Sequence, residues 1–179
     1  MTHNLLMLDY VHAHVQQHPD RIYLTQPTGQ GRVVNYTWAQ VMDQSLRMAA
    51  HLKACGYGPG ARIAMLSKNC AHFIMAELAI WMAGGTTVAI FPTETADTVR
   101  YVLQHSGASA LFVGKLDTWP QQSAGVPDAL PCMALPLAPP TAFETWDAIV
   151  ARTPALAGQP TRAADDLAML LYTSGSTGT

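Results

Sequence analysis

The sequence predicts an α/β fold built on a parallel, doubly wound sheet with flanking helices. Three observations carry that expectation. Short apolar runs of strand length (62–66, 86–91, 110–113 and 167–171) alternate with segments of helical length and period (70–83 and 96–105). Glycine-rich punctuation separates them at Gly58-Pro59-Gly60, Gly84-Gly85 and Gly107. Strands joined by helices of that length return to the same edge, which makes the sheet parallel and the crossovers right-handed.

Each element has its own local reason. Residues 5–17 form a short amphipathic helix, stopped by Pro19. Residues 22–25 and 32–36 read as two strands around Thr28-Gly29-Gln30-Gly31, a hairpin. Thr37 caps the next helix, with Gln40 placed to complete a capping box. Trp38, Val41, Ser45, Ala49 and Leu52 share one face of that helix, and Gly56 stands where a left-handed C-cap is wanted. Segment 70–83 is an almost wholly apolar helix, expected to be covered on most sides, with Asn69 as its cap. The stretch 119–140 holds six of the twelve prolines and reads as an irregular connection, with a short strand at 132–135. Segment 143–151 is a short helix, and 154–164 a surface loop before the last strand. The expected organisation is a hairpin-and-helix segment, 1–57, followed by an α/β subdomain, 58–179, with no internal repeat.

Composition bounds the function. With 179 residues, 49% hydrophobic and 12% charged, the chain can bury a real core. A formal charge of −2, with only three lysines, argues against a nucleic-acid or anionic-membrane partner. Cys55, Cys70 and Cys132 are odd in number and far apart, as reduced thiols of a cytoplasmic protein are. No leader peptide opens the chain, and the most apolar stretch, 78–92, is too short and too glycine-broken to span a bilayer.

The chemistry sits at the end. Leu170-Leu171-Tyr172-Thr173-Ser174-Gly175-Ser176-Thr177-Gly178-Thr179 is an apolar strand running into hydroxyls and glycines. Glycine permits close backbone approach, and consecutive amides form an anion-binding concavity, so this loop suits a phosphate chain. It leaves the sheet at the carboxyl edge, where open α/β sheets bind ligands. A Walker loop needs Lys and a hydroxyl residue after its second glycine, and a nucleophile elbow needs Gly-x-Ser-x-Gly. Neither pattern is present. Clusters of Ser, Thr and Gly are more often plain loops, but this one follows a buried-looking strand in an unbroken run of one chemical kind.

Residues 172–178 resemble the phosphate-binding signature of the adenylate-forming (AMP-binding) enzymes, the family of acyl-CoA synthetases, adenylation domains and luciferases. There the signature continues with Pro-Lys-Gly, and the sequence stops just before it. His18-Pro19-Asp20, Tyr36-Thr37-Trp38, Gly58-Pro59-Gly60-Ala61-Arg62-Ile63-Ala64, Ser67-Lys68-Asn69 and Met82-Ala83-Gly84-Gly85 resemble further family landmarks in order. Phe91-Pro92-Thr93 with Ala96-Asp97-Thr98 is most similar to the long-chain fatty-acyl-CoA synthetase branch. The resemblance implies the N-terminal part of a ligase that activates a carboxylic acid with ATP and Mg²⁺ and passes the acyl-adenylate to coenzyme A. Thr173, Ser174, Ser176 and Thr177 are then hydroxyl donors to the phosphates, Gly175 and Gly178 points of close approach, and Thr179 the last residue of the segment. Catalytic and metal-binding groups of the family lie beyond Thr179, so none is assigned, and the 179 residues alone are expected to be inactive and to self-associate weakly through bared apolar surface. An aryl-acid or amino-acid adenylation domain shares nearly every motif, and a truncated, non-catalytic binding module is the other alternative.

Other residues carry bland readings. His14 and His18 share a helix face but lack the Glu that a zinc motif of this spacing requires. Asp165-Asp166 mark the solvent-facing approach to a strand. Trp38, Trp81, Trp119 and Trp146 have no common spacing and read as packing groups.

Overall fold

A computed structural model describes residues 5–173. Helix α1 (Met7–Gln17) leads into a two-stranded antiparallel ribbon, β1 (Ile22–Gly29) and β2 (Arg32–Thr37). The ribbon is longer than the sequence suggests. Gln30 and Gly31 both take positive φ (53° and 74°), which shortens the turn and lets pairing extend to Gly29 and Arg32. Pro27 is tolerated inside β1 because both strands of a two-stranded ribbon are edges.

Helix α2 (Trp38–Ala54) starts on the expected capping box: Thr37 Oγ1 accepts from Gln40 N at 3.2 Å and Gln40 Oε1 from Thr37 N at 2.9 Å. Val41, Ser45, Ala49 and Leu52 are buried along its inner face. Then follow β3 (Arg62–Leu66), α3 (Ala71–Met82), β4 (Thr86–Ile90), α4 (Ala96–Ser106) and β5 (Ala110–Val113). The expected irregular connection contains more order than its prolines imply. A helical turn, α5 (Trp119–Gln122), accepts Pro120 in its first turn, where no amide partner is lost, and a 3-10 turn (Ser123–Gly125) continues it. Strand β6 (Cys132–Ala134) follows, then β7 (Glu144–Thr145), α6 (Trp146–Arg152) and β8 (Met169–Leu171). Helix α6 starts later than read from sequence, because Glu144 and Thr145 pair with β6 and Thr145 caps the helix.

Asn69 does not cap α3. The cap position is Cys70, whose side chain makes no capping bond, and Ala71 N donates instead to Gln26 Oε1 of β1 at 2.8 Å. A distant side chain has taken the role of the local one.

Six strands form one parallel sheet in the order β7-β6-β5-β3-β4-β8. Alternation of side chains divides its core in two. Ile63, Met65 and Phe112 face α1, α2, α3 and α6, while Ala64, Leu66, Val88, Leu111 and Val113 face α4 and the 119–130 segment. The sheet is therefore doubly wound. After β3 the chain crosses to one face through α3, and after β4 to the other through α4, so the connections diverge between these neighbours. Gly107 ends α4 in the left-handed region (φ 63°), as a C-cap glycine does. Among the described residues, no helix is long and apolar enough to cross a membrane.

Candidate functional site

The carboxyl edge of the sheet is assembled from three loops, each pinned by a buried polar contact. After β3, Ser67 is buried; its hydroxyl donates to Lys68 O (2.7 Å) and accepts from Lys115 N (3.0 Å). Lys68 N donates to Lys115 O at 2.8 Å and Gly114 N to Leu66 O at 3.0 Å, which welds the loops after β3 and β5 together. A Cβ at position 114 would meet Ser67 Oγ at 2.2 Å, so the loops pass only because residue 114 is glycine. At the surface, Lys68 pairs with Asp117.

After β4, Phe91-Pro92-Thr93-Glu94 turns toward α4, whose N-terminus Thr95 caps through Thr98 N. Gln122, 1% exposed, donates from one amide nitrogen to both Pro92 O (2.9 Å) and Glu94 O (3.0 Å). This amide fixes the path of the turn from 30 residues away.

Strand β8 is held at its entry by side chains from elsewhere. Trp81 Nε1 donates to Ala168 O (2.9 Å), while Thr86 Oγ1 and Arg162 Nη2 donate to Leu167 O (2.7 and 2.9 Å). At its exit, the Tyr172 hydroxyl lies 2.8 Å from His105 Nδ1 on α4.

Two cavities flank the β4–β8 pair at this edge. One, of about 200 Å³, lies on the α4 side and is lined by Phe91, Glu94, Thr98, Val102, Tyr172 and Thr173. The other, of about 210 Å³, lies on the α3 side, against Ser67, Asn69, Phe73, Phe91, Met169 and Leu171. Both cavities thus open at the carboxyl edge, beside the point where the crossovers diverge, the edge at which a doubly wound sheet binds ligands.

Of the residues read from sequence as phosphate-binding, Thr173 is exposed and lines the α4-side cavity. Ser174, Gly175, Ser176, Thr177, Gly178 and Thr179 lie outside the described residues. What the sequence did not reveal are the tertiary contacts: Ser67 and Gln122 pin the loops at this edge, and Tyr172 reaches along α4 to His105 in its last turn.

The remaining titratable groups belong to the packing. His72 is buried between Tyr36 and Trp146, and burial pushes its pKa down to about 4, opposed by nearby Asp147. Burial pushes the Cys132 thiol up to about 11, which leaves it protonated and a poor nucleophile at neutral pH. All three cysteines are free. His14 is exposed and packs its ring 4.9 Å from that of Trp38, which in turn stacks on Tyr23 at 3.7 Å. Trp146 is fully buried and donates to Gln44 Oε1; Trp119 meets Phe143 edge-on. Asp166 accepts from Ala163 N at 2.9 Å in the approach to β8. Among the described residues, no three His, Cys, Asp or Glu side chains converge as a metal site does.

Solved structures share this architecture at low identity. An anthranilate CoA ligase determined in complex with anthranoyl-AMP superposes with a TM-score of 0.79 at 20% identity, over 96% of this chain and 32% of its own. A benzoate CoA ligase from Burkholderia xenovorans gives 0.75 at 20% identity, over 92% and 32%. At such identity the likeness is one of fold. By sequence, the chain is 33% identical to a Mycobacterium tuberculosis propanoyl:CoA ligase whose acyl group bears a methyl-dioxo-octahydroindenyl ring system, over 80% of this chain and 30% of the ligase. It is 30% identical to chondramide synthase of Chondromyces crocatus, over 96% of this chain and 4% of the synthase. The chain therefore spans less than a third of the length of these relatives. The family model described as AMP-binding enzyme matches residues 11–179, nearly the whole chain, and the protein belongs to that family.

Proposed function

We propose that this chain forms the nucleotide-phosphate wall of an enzyme that activates a carboxylic acid as its adenylate at the expense of ATP. The observation that carries the reading is the exit of β8: the apolar strand ends at the carboxyl edge, beside the point where the crossovers diverge, two residues before Thr173, the first of a Thr-Ser-Gly-Ser-Thr-Gly-Thr sequence. Attack of a carboxylate on a polyphosphate brings anion to anion. Hydroxyls of Thr173, Ser174, Ser176 and Thr177, with backbone amides opened by Gly175 and Gly178, lower that barrier by holding the charge of the departing pyrophosphate. Mg²⁺ bound with the nucleotide would add charge neutralisation. Residues 58–179 then act as the nucleotide-binding part, and 1–57 brace it through Gln26 and the inner face of α2.

Relatives of both kinds, the chondramide synthase and the propanoyl:CoA ligase, support acid activation. Coenzyme A as acceptor follows the propanoyl:CoA ligase. A long-chain fatty acid follows only the resemblance of residues 91–98, and aryl and amino acids stand beside it as substrates to be tried.

ATP–pyrophosphate exchange by the complete protein, with fatty, aryl and amino acids in parallel, identifies the acid. In that assay Thr177→Val keeps side-chain shape and removes one donor, and the expected loss is on the order of a hundredfold in rate. An unchanged rate in this variant defeats the phosphate-binding role. Exchange with an aryl or amino acid but no fatty acid defeats the long-chain assignment alone.

A further inference from the structure

The outer flank of α4 carries an aromatic pair where a polar helix face is expected. Tyr101 and His105, four residues apart, stack with ring centroids 5.3 Å apart at 22°. Tyr172 closes on both rings edge-on, 5.7 Å from His105 and 6.4 Å from Tyr101, and its hydroxyl meets His105 Nδ1 at 2.8 Å. We propose that His105 is a positioning residue for the phosphate-binding loop, acting through Tyr172, the residue that launches it. This inference rests on the phosphate-loop reading above.

The geometry favours a clasp over a chance surface contact. Tyr172 is the first residue past β8 and directly precedes Thr173, where the phosphate-loop sequence begins. Its ring also packs on the core beneath α4, beside Leu170. The helix end that holds it is rigid: Arg62 Nη1 donates to Ser106 O at 2.6 Å, Gly107 N to Gln104 O at 3.1 Å, and Ser109 N to Arg62 O at 2.8 Å. Burial, and then the neighbouring Tyr101, push the Tyr172 hydroxyl above its usual range, although Arg62 and Ser106 oppose this. At neutral pH it is a phenol, able to donate to His105 Nδ1 or accept from it according to the tautomer of the ring. Strand β8 is only three residues long and, among the described residues, is paired on one side alone, to β4. A contact across 67 residues of sequence gives the residue after it a second anchor.

The test is calorimetric titration of the complete protein with MgATP, using His105→Leu, His105→Asn, Tyr172→Phe and the His105→Leu/Tyr172→Phe double variant, with thermal unfolding of each alongside. Losing one such hydrogen bond is expected to weaken MgATP about tenfold in either single variant. The double variant should lose no more than either single one, and Asn, which offers a polar atom near the position of Nδ1, should restore most of the affinity. Unaltered affinity in both single variants overturns the clasp, as do losses that multiply in the double variant or that Asn fails to restore. Thr177→Val separates the two readings. If it weakens MgATP while the clasp variants do not, the clasp alone fails. If it too binds normally, the phosphate-loop reading falls and the clasp with it.

Discussion

At the level of single residues, His72 illustrates how a polar side chain is retained inside an apolar core at the cost of acid stability. It stands in the first turn of α3, with Tyr36 and Trp146 edge-on at 5.4 and 5.5 Å. Burial holds the folded-state pKa at about 4, against an ordinary 6.5. Above pH 6.5 both folded and unfolded chains carry neutral imidazole, and the group has no effect. Between 6.5 and 4 the unfolded chain takes up a proton that the folded chain refuses, so stability falls as pH falls through that window. At pH 5 the expected loss from this group is on the order of 2 kcal/mol relative to pH 7.5. Glu77 acts in the opposite sense: burial raises its pKa, so the folded state gains as that carboxyl protonates. Replacing His72 by Phe isolates the histidine contribution. Urea unfolding of His72→Phe at pH 7.5 and 5 should show a smaller drop than wild type by about that amount, and an equal drop excludes His72 as the acid-sensitive group.

At the level of elements, legibility followed sequence distance. The capping box of α2, the left-handed Gly107 after α4 and the parallel pairing of β3, β4 and β5 could all be read from residues close together in the chain. The cap of α3 could not, because its acceptor, Gln26, is 45 residues away. The 119–125 turns were hidden for a related reason: what orders them is contact with α4, and proline-rich composition hides it. Gly125 is the point of closest approach. A Cβ there would lie 2.1 Å from Ala96 O and 2.8 Å from Ala96 C, both backbone atoms at the start of α4. Neither can yield without moving the helix. Gly125→Ala is accordingly expected to destabilise by about 3 kcal/mol, at the upper end of overpacking costs. Gly58 has open space at its Cβ and no positive φ, so Gly58→Ala should stay within about 0.5 kcal/mol of wild type. Thermal unfolding of the pair is the check, and similar melting points would contradict the close-packing argument.

At the level of the whole molecule, the candidate site is an edge rather than an enclosure. The sheet places β8 at its rim, with Phe91, Leu167 and Leu171 each more than half exposed around it, and both cavities beside β4 open outward. The phosphate-binding reading comes from seven consecutive residues, of which only Thr173 is described. The contacts of Ser67, His105 and Gln122 could not be read that way, because their partners are brought to them only by the topology. On the proposed function, adenylation requires the α-phosphate and the attacking carboxylate to be held together in line. Well-oriented reactants can owe on the order of 7 kcal/mol of lowered barrier to that alone. The described residues furnish donors and apolar walls on one side of the two cavities, and no converging set of carboxylates and imidazoles for a metal. The matched part of the chain covers 30% of the propanoyl:CoA ligase, so in an enzyme of that length most residues available to enclose the reactants come from other parts. The chain by itself should therefore show no ATP–pyrophosphate exchange with any fatty, aryl or amino acid at a concentration where the complete protein turns over readily. Exchange by the 179 residues at a rate within tenfold of the complete protein would mean that this edge alone holds both reactants, and the one-wall description would have to be abandoned.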